Sequence, residues 1–272
     1  MQLNEFSFDS IESSRFFISC ATEFHSILPE QRQFTVEIPG LDGVHDFNIG
    51  GYGTRVITKA IYFDGPFSFL REHKDEIAAW LSNDGRYKKL VFGDAPDKYY
   101  IAKVIAALEF QNASNRKIGT VQFVCNPPWA YSDKGVALTP EYYALINSAV
   151  DNNQFIMEIG KTPSTMKIYN VGSAIKPIIK LIGYNPNKAQ IIFNDEEISF
   201  DGNVDTYDGI VIDCESETVT RMSDAENMYP LMQGDYITLP HGYSELIFAR
   251  AGEGDYPKSL TAIVEFTPKY GG

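Results

Sequence analysis

The sequence predicts a mainly β protein of two domains, the first holding a single helix and the second an all-β sandwich. Three observations lead there. Aromatic residues are 13% of the chain, with 18 Phe and 16 Tyr, and such side chains suit a pleated, half-buried surface. Apolar residues recur mostly with period two between turn signals. One convincing helical segment occurs in the first half, and none separates the short strands of the second. At 272 residues, with 44% hydrophobic and 22% charged residues, the chain can build a core of ordinary size and divides most naturally into two domains.

Phe34-Thr35-Val36-Glu37-Ile38 alternates as a strand and stops at Pro39-Gly40. Leu41-Asp42-Gly43 continues that turn, since Asp-Gly is a strong turn signal. Gly50, Gly51 and Gly53 loosen the next stretch, and the β-branched and aromatic run 55–63 is a second strand. The helix is expected over 66–83. Gly65-Pro66 opens it, with Pro suited to a first helical position. Phe69, Leu70, His73, Ile77, Trp80 and Leu81 share its apolar face, with Trp80 the largest anchor, and Gly85 stops it. Strands follow at 89–92, within 99–110 and at 119–125. Asn126-Pro127-Pro128-Trp129 closes the domain, because two prolines cannot continue a ladder.

The expected boundaries are 1–130 for the first domain, 131–165 for a connector with a short helix from Thr139-Pro140, and 166–272 for the second domain. There the strands are expected at 166–171, 178–182, 189–193, 197–200, 210–213, 218–222, 236–239, 245–249 and 261–266. Asn194-Asp195, Asp201-Gly202, Gly183 and Gly234-Asp235 supply the turns between them, a spacing typical of a sandwich.

Residues that might carry chemistry do not assemble into a reactive set. His25, His45, His73 and His241 lack a neighbour at metal-ligand spacing. Gly50-Gly51-Tyr52-Gly53 precedes a strand, whereas a phosphate-cradling loop opens a helix. It reads instead as a hairpin tip or a contact between subunits. Asp201-Gly202-Asn203-Val204-Asp205 begins like a calcium loop, but Thr206 and Ile212 stand where Gly and Glu are needed. Cys20, Cys125 and Cys214 are far apart and odd in number, so buried free thiols are expected rather than a disulfide framework or zinc site. No nucleophile elbow and no opposed carboxylate pair stands out. Hence no catalytic, cofactor or metal residue is assigned, and no enzymatic activity is expected.

Charge narrows the partners. The net charge of -13 and pI near 4.7 oppose a protein that grips nucleic acid, since that requires Lys and Arg to displace counterions. The N-terminal MQLNEFSFDSIESS is no signal peptide, and no stretch has the length to span a bilayer.

The order of segments resembles the phage distal tail protein family. The pieces are the Ile38-Pro39-Gly40-Leu41-Asp42-Gly43 turn, the helix end Ile77-Ala78-Ala79-Trp80-Leu81, the run from Leu90-Val91-Phe92-Gly93-Asp94-Ala95-Pro96-Asp97 to Tyr100, residues 119–123 and Cys125-Asn126-Pro127-Pro128-Trp129. Asn170-Val171-Gly172, Pro177-Ile178-Ile179, Ile212-Asp213 with Thr218-Val219, Leu239-Pro240-His241-Gly242 with Tyr243-Ser244-Glu245-Leu246-Ile247, and Phe266-Thr267-Pro268-Lys269-Tyr270 are similar to its second half. The family often has Arg where this chain has Leu41.

The resemblance implies a barrel-like first domain that closes with five copies into a hexameric ring, and a galectin-like second domain outside it. The implied partners are further copies of the chain, the tail tube protein, and the tail-tip hub or tail-associated lysin. No specific nucleic acid, membrane insertion or cofactor is implied. The implied location is the virion tail tip, assembled in the host cytoplasm, with DNA passing through the ring. Within this frame Phe47, Gly50, Gly51, Tyr52 and Gly53 are expected to touch a neighbouring copy. The competing expectation is a carbohydrate-binding module of the tail tip that recognises host cell-wall sugars on Tyr207, Tyr229 and Tyr243.

Overall fold

The structure, a computed structural model, describes the chain except residues 23–27, 48–50, 106–109, 114–115, 133–140, 142–145, 152, 161, 184–187, 202–207, 252–259 and 272. It is mainly β, as expected, and divides into two units: Met1–Asp133 with Tyr270–Gly272, and Lys134–Lys269.

In the first unit, strands Arg55–Phe63 and Arg116–Cys125 form the longest ladder, in register from Lys117 opposite Phe63 to Cys125 opposite Arg55. The sheet continues beyond Arg116–Cys125 through Lys98–Val104, Lys88–Phe92 and Phe6–Phe8, and on the other side ends at Ile18–Cys20. Period-two patterning makes one face of this sheet apolar. Along Arg55–Phe63 the alternate positions Ile57, Ile61 and Phe63 are buried.

Arg55 and Lys59 are buried in the same row. The Arg55 guanidinium lies over the Tyr100 ring and donates to the carbonyls of Pro128 and Gly271. Lys59 Nζ lies 5.2 Å from the Phe92 ring centroid.

The expected single helix is two, Phe67–Glu72 and Lys74–Ser82. Pro66 is the residue before the first helical turn rather than its first member. The break falls at His73, whose backbone leaves helical geometry (φ -105°, ψ 13°) while its ring stacks on Phe69 and its Nδ1 lies 3.0 Å from the Phe69 carbonyl oxygen. Apolar spacing survives the break: Ile77, Trp80 and Leu81 are buried against the sheet. Trp80 stacks on Phe6 at 5.6 Å and donates its indole N–H to the Phe8 carbonyl at 2.9 Å. Asp84 and Gly85, both at positive φ, end the segment.

The second unit is a two-sheet sandwich. One sheet orders Ala149–Asp151, Gln154–Ile159, Leu260–Glu265, Ile178–Gly183, Gly209–Asp213 and Thr218–Arg221. The other orders Ser164–Asn170, Gly242–Ala251, Lys188–Phe193, Glu196–Asp201 and Met232–Gln233. Between them lies one core that includes Phe155, Ile168, Ile179, Phe200, Phe248 and Val264. Asn194 and Asp195, both at positive φ, join Phe193 to Glu196 as a two-residue hairpin loop, the primed-turn geometry that matches strand twist.

Other expectations differ from what is found or fall outside the described residues. The stretch 131–165 is not simply a connector, because Gln154–Ile159 pairs along Leu260–Glu265 inside the sandwich. Most of the short helix expected from Thr139-Pro140 lies outside the described residues. The segment 236–239 forms no extended strand: Leu239 makes one bridge with Ile175, and Pro240, having no N–H, cannot prolong it. The C-terminal Tyr270 belongs to the first unit, where it exchanges backbone hydrogen bonds with Ala130 at 2.9 and 3.0 Å.

Candidate self-assembly surface

A two-stranded arm leaves the first unit between Pro29 and Arg55. At its base Gly53 N–H donates to the Glu30 carbonyl at 2.8 Å and Arg32 N–H to the Gly51 carbonyl at 2.9 Å, while Tyr52 bridges Gln31. Farther out Phe47 N–H donates to the Phe34 carbonyl, and Thr35–Val36 pairs with His45–Asp46. A turn closes the end, with Leu41 N–H on the Ile38 carbonyl and both Gly40 and Gly43 at φ +89°. Those two angles are why Pro-Gly and Asp-Gly occupy the tip.

The arm is a ribbon with both faces bare. Every residue from 30 through 47 is exposed. Phe34, Val36, Ile38, Leu41, Val44 and Phe47 are all large and apolar, with Phe34 at 59% and Phe47 at 46% exposure. The Phe34 and Phe47 rings lie 5.7 Å apart, and His45 packs edge-on against Phe47. An isolated hairpin is marginal in water, and an apolar cluster of this kind marks an interaction site.

The expected contact residues therefore fall in this arm, but not where the sequence suggested. Gly51, Tyr52 and Gly53 belong to the base of the return strand, not to a hairpin tip. Tyr52 is 45% exposed and sets its ring against Trp129 at 4.8 Å, which fastens the base to the unit. Gly50 lies outside the described residues. The sequence reading passed over Phe34, Val36, Ile38, Leu41 and Val44, because period-two alternation signals one buried face and cannot say that the face lacks a cover. One usable signal was present: from Gln33 to Thr54 the chain has Glu37, Asp42 and Asp46 but no Lys or Arg.

The other singled-out residues lie on separate elements or outside the described residues. Tyr207 and the Asp201–Asp205 loop beyond Asp201 lie outside the described residues, as does His25. Tyr229 stands in a short turn of helix at Tyr229–Leu231, whereas Tyr243 lies on Gly242–Ala251 and donates its hydroxyl to Glu245. Among the described residues no ring contact pairs the two tyrosines. His45 is on the arm, His73 at the helix break, and His241 Nδ1 lies 3.0 Å from the Gly172 carbonyl.

Cys20, Cys125 and Cys214 are free and buried, as expected. Burial pushes the thiols up to about 11, about 12 and about 11, respectively, with nearby Lys59 and Arg55 partly opposing this at Cys20 and Cys125. They are therefore protonated, unreactive core groups at neutral pH. Among the described residues, no group of three or more His, Cys, Asp or Glu could hold a metal ion, and no helix is long and apolar enough to cross a membrane.

Comparison with known proteins points in one direction. Residues 13–125 match the family described as phage tail protein RIFT-related domain. The chain is also similar to a crystal structure from phage SPP1, that of its Dit protein, described as a paradigm of the hub adsorption apparatus in phages infecting Gram-positive bacteria. The TM-score is 0.64 at 14% identity, covering 99% of this chain and all of that one. No curated protein matches.

Proposed function

We propose that this chain, with a phage tail protein RIFT-related domain over residues 13–125 and the fold of a distal tail protein along its length, is a siphophage distal tail protein: a structural, non-catalytic hub that assembles with copies of itself. Both matches support that reading. The observation that carries the self-assembly is the bare apolar arm. Fully covering a large apolar side chain contributes about 1.5–3 kcal/mol. The six on the arm are already about half covered, so burying the remainder supplies roughly 5–9 kcal/mol, within the range of the roughly 4–15 kcal/mol of freedom lost on association.

In this reading six copies close into a ring through the first unit, with the sandwich outside. One ring face meets the tail tube protein and the other the tail-tip hub or tail-associated lysin. The complex sits at the virion tail tip after assembly in the host cytoplasm. DNA passes through the bore, and the net charge of -13 per chain serves that passage, because carboxylates repel phosphates. Phe47, Gly51, Tyr52 and Gly53 then contribute through the arm they build, together with Gly50. Tyr229 and Tyr243 stand on different elements and make no ring contact with each other among the described residues, so no observation favours the sugar-binding alternative.

Light scattering on the full chain tests the assembly. A molar mass near six times that of one chain, with hollow rings in negative-stain images, is the expected result. A single-chain mass at the highest attainable concentration would overturn it.

A further inference from the structure

A groove of about 660 Å³ runs along the helical segment of the first unit. Ile77, Ala78 and Leu81 form its helix side, and Val104, Ile105 and Phe110 its sheet side. Phe67 stands at its margin, 61% exposed, with Lys117 Nζ 4.3 Å from its ring centroid. The charged groups that line the groove are Arg71, Lys74 and Lys117, and no carboxylate lines it among the described residues. Although Glu72, Asp75 and Glu76 are exposed on the same helical segment, the charged lining among the described residues is basic, a local reversal in a chain with 36 acidic and 23 basic residues.

The arm has the opposite character. Its exposed apolar row is interspersed with Glu37, Asp42 and Asp46, and it has no Lys or Arg between Gln33 and Thr54. No arm residue lines the groove of its own chain. We propose that the acidic, apolar arm of one copy docks in the basic-rimmed apolar groove of the next copy, with Glu37 and Asp42 facing Arg71 and Lys74. The proposal rests on the self-assembly reading and deepens it by assigning the two surfaces that meet. Because arm and groove are different surfaces, the contact is head-to-tail, and it propagates until the rotation closes a ring. The apolar residues hold the contact, while the opposite charges select its register and disfavour wrong pairings.

Charge exchange in the full-length chain tests this, with sedimentation equilibrium as the readout. One variant combines Arg71→Glu and Lys74→Glu, a second combines Glu37→Lys and Asp42→Lys, and a third has all four. Each paired reversal should weaken assembly by at least about tenfold, since like charges brought together are strongly unfavourable. The fourfold variant should regain the parent's assembly, which only a folded chain can do.

Paired variants that assemble like the parent, or a fourfold variant as weak as either pair, would overturn the assignment. An effect confined to the arm reversal would also overturn it, leaving the groove to another tail protein. If the parent assembles while the reversals change nothing, only the arm-to-groove assignment fails. A parent that never associates removes the self-assembly reading as well.

Discussion

At the scale of single residues, burial sets the chemistry. The three cysteines sit in apolar surroundings with neighbouring cations too few to offset desolvation, so the protonated thiol is the form the fold accepts. Their ordinary value is 9.0, and in the fold they lie at about 11 to 12. Below the ordinary value, thiols are protonated folded or unfolded, and this contribution to stability is fully present. As pH rises through the folded values the contribution is lost, because the unfolded chain ionises first. Thermal unfolding midpoints should therefore hold steady from neutrality to about pH 9 and fall between about 9 and 11. A midpoint that climbs across that interval would contradict this account. Arg55 and Lys59 show the complementary case, buried cations set over the Tyr100 and Phe92 rings.

At the scale of elements, the helix and the arm are opposites. Helical spacing predicts an apolar stripe, and the stripe finds a sheet: Trp80 packs among Phe6 and Phe16 and satisfies the Phe8 carbonyl. Trp80→Ala should lower stability by about 3–5 kcal/mol, since it opens a cavity and removes the hydrogen bond to that carbonyl. Urea unfolding checks the figure, and a loss below about 1 kcal/mol would mean that the helix is not anchored there. The arm shows equally clear alternation, but no face of it is covered within the chain. Local pattern specified both elements. What differs is whether the chain supplies the opposing layer.

At the scale of the whole molecule, charge bears on the proposed assembly. The excess of 36 acidic over 23 basic residues makes a poor surface for retaining DNA, which is what the proposed passage of DNA through a ring would require. Gel mobility of labelled duplex DNA mixed with the assembled protein should be unchanged at low salt. Salt-sensitive retention of the DNA would show that the acidic groups do not govern the path.

The sequence by itself determined the β class, the single helical region with its Trp80 anchor, the two-residue turn at Asn194-Asp195, the buried state of the cysteines and the resemblance to tail proteins. These are properties of local patterning and composition, which act over a few residues. Tertiary structure alone decided four others. Gln154–Ile159 belongs to the sandwich because Leu260–Glu265, far along the chain, offers it an edge. Tyr270 returns to the first unit because Ala130 offers it a bridge. The expected strand at 236–239 shrinks to one bridge beside Pro240. The arm at 30–47 stays uncovered. Each turns on which surfaces are left to pair after the rest has folded, and hydrophobic periodicity shows that a face is apolar without naming what will bury it.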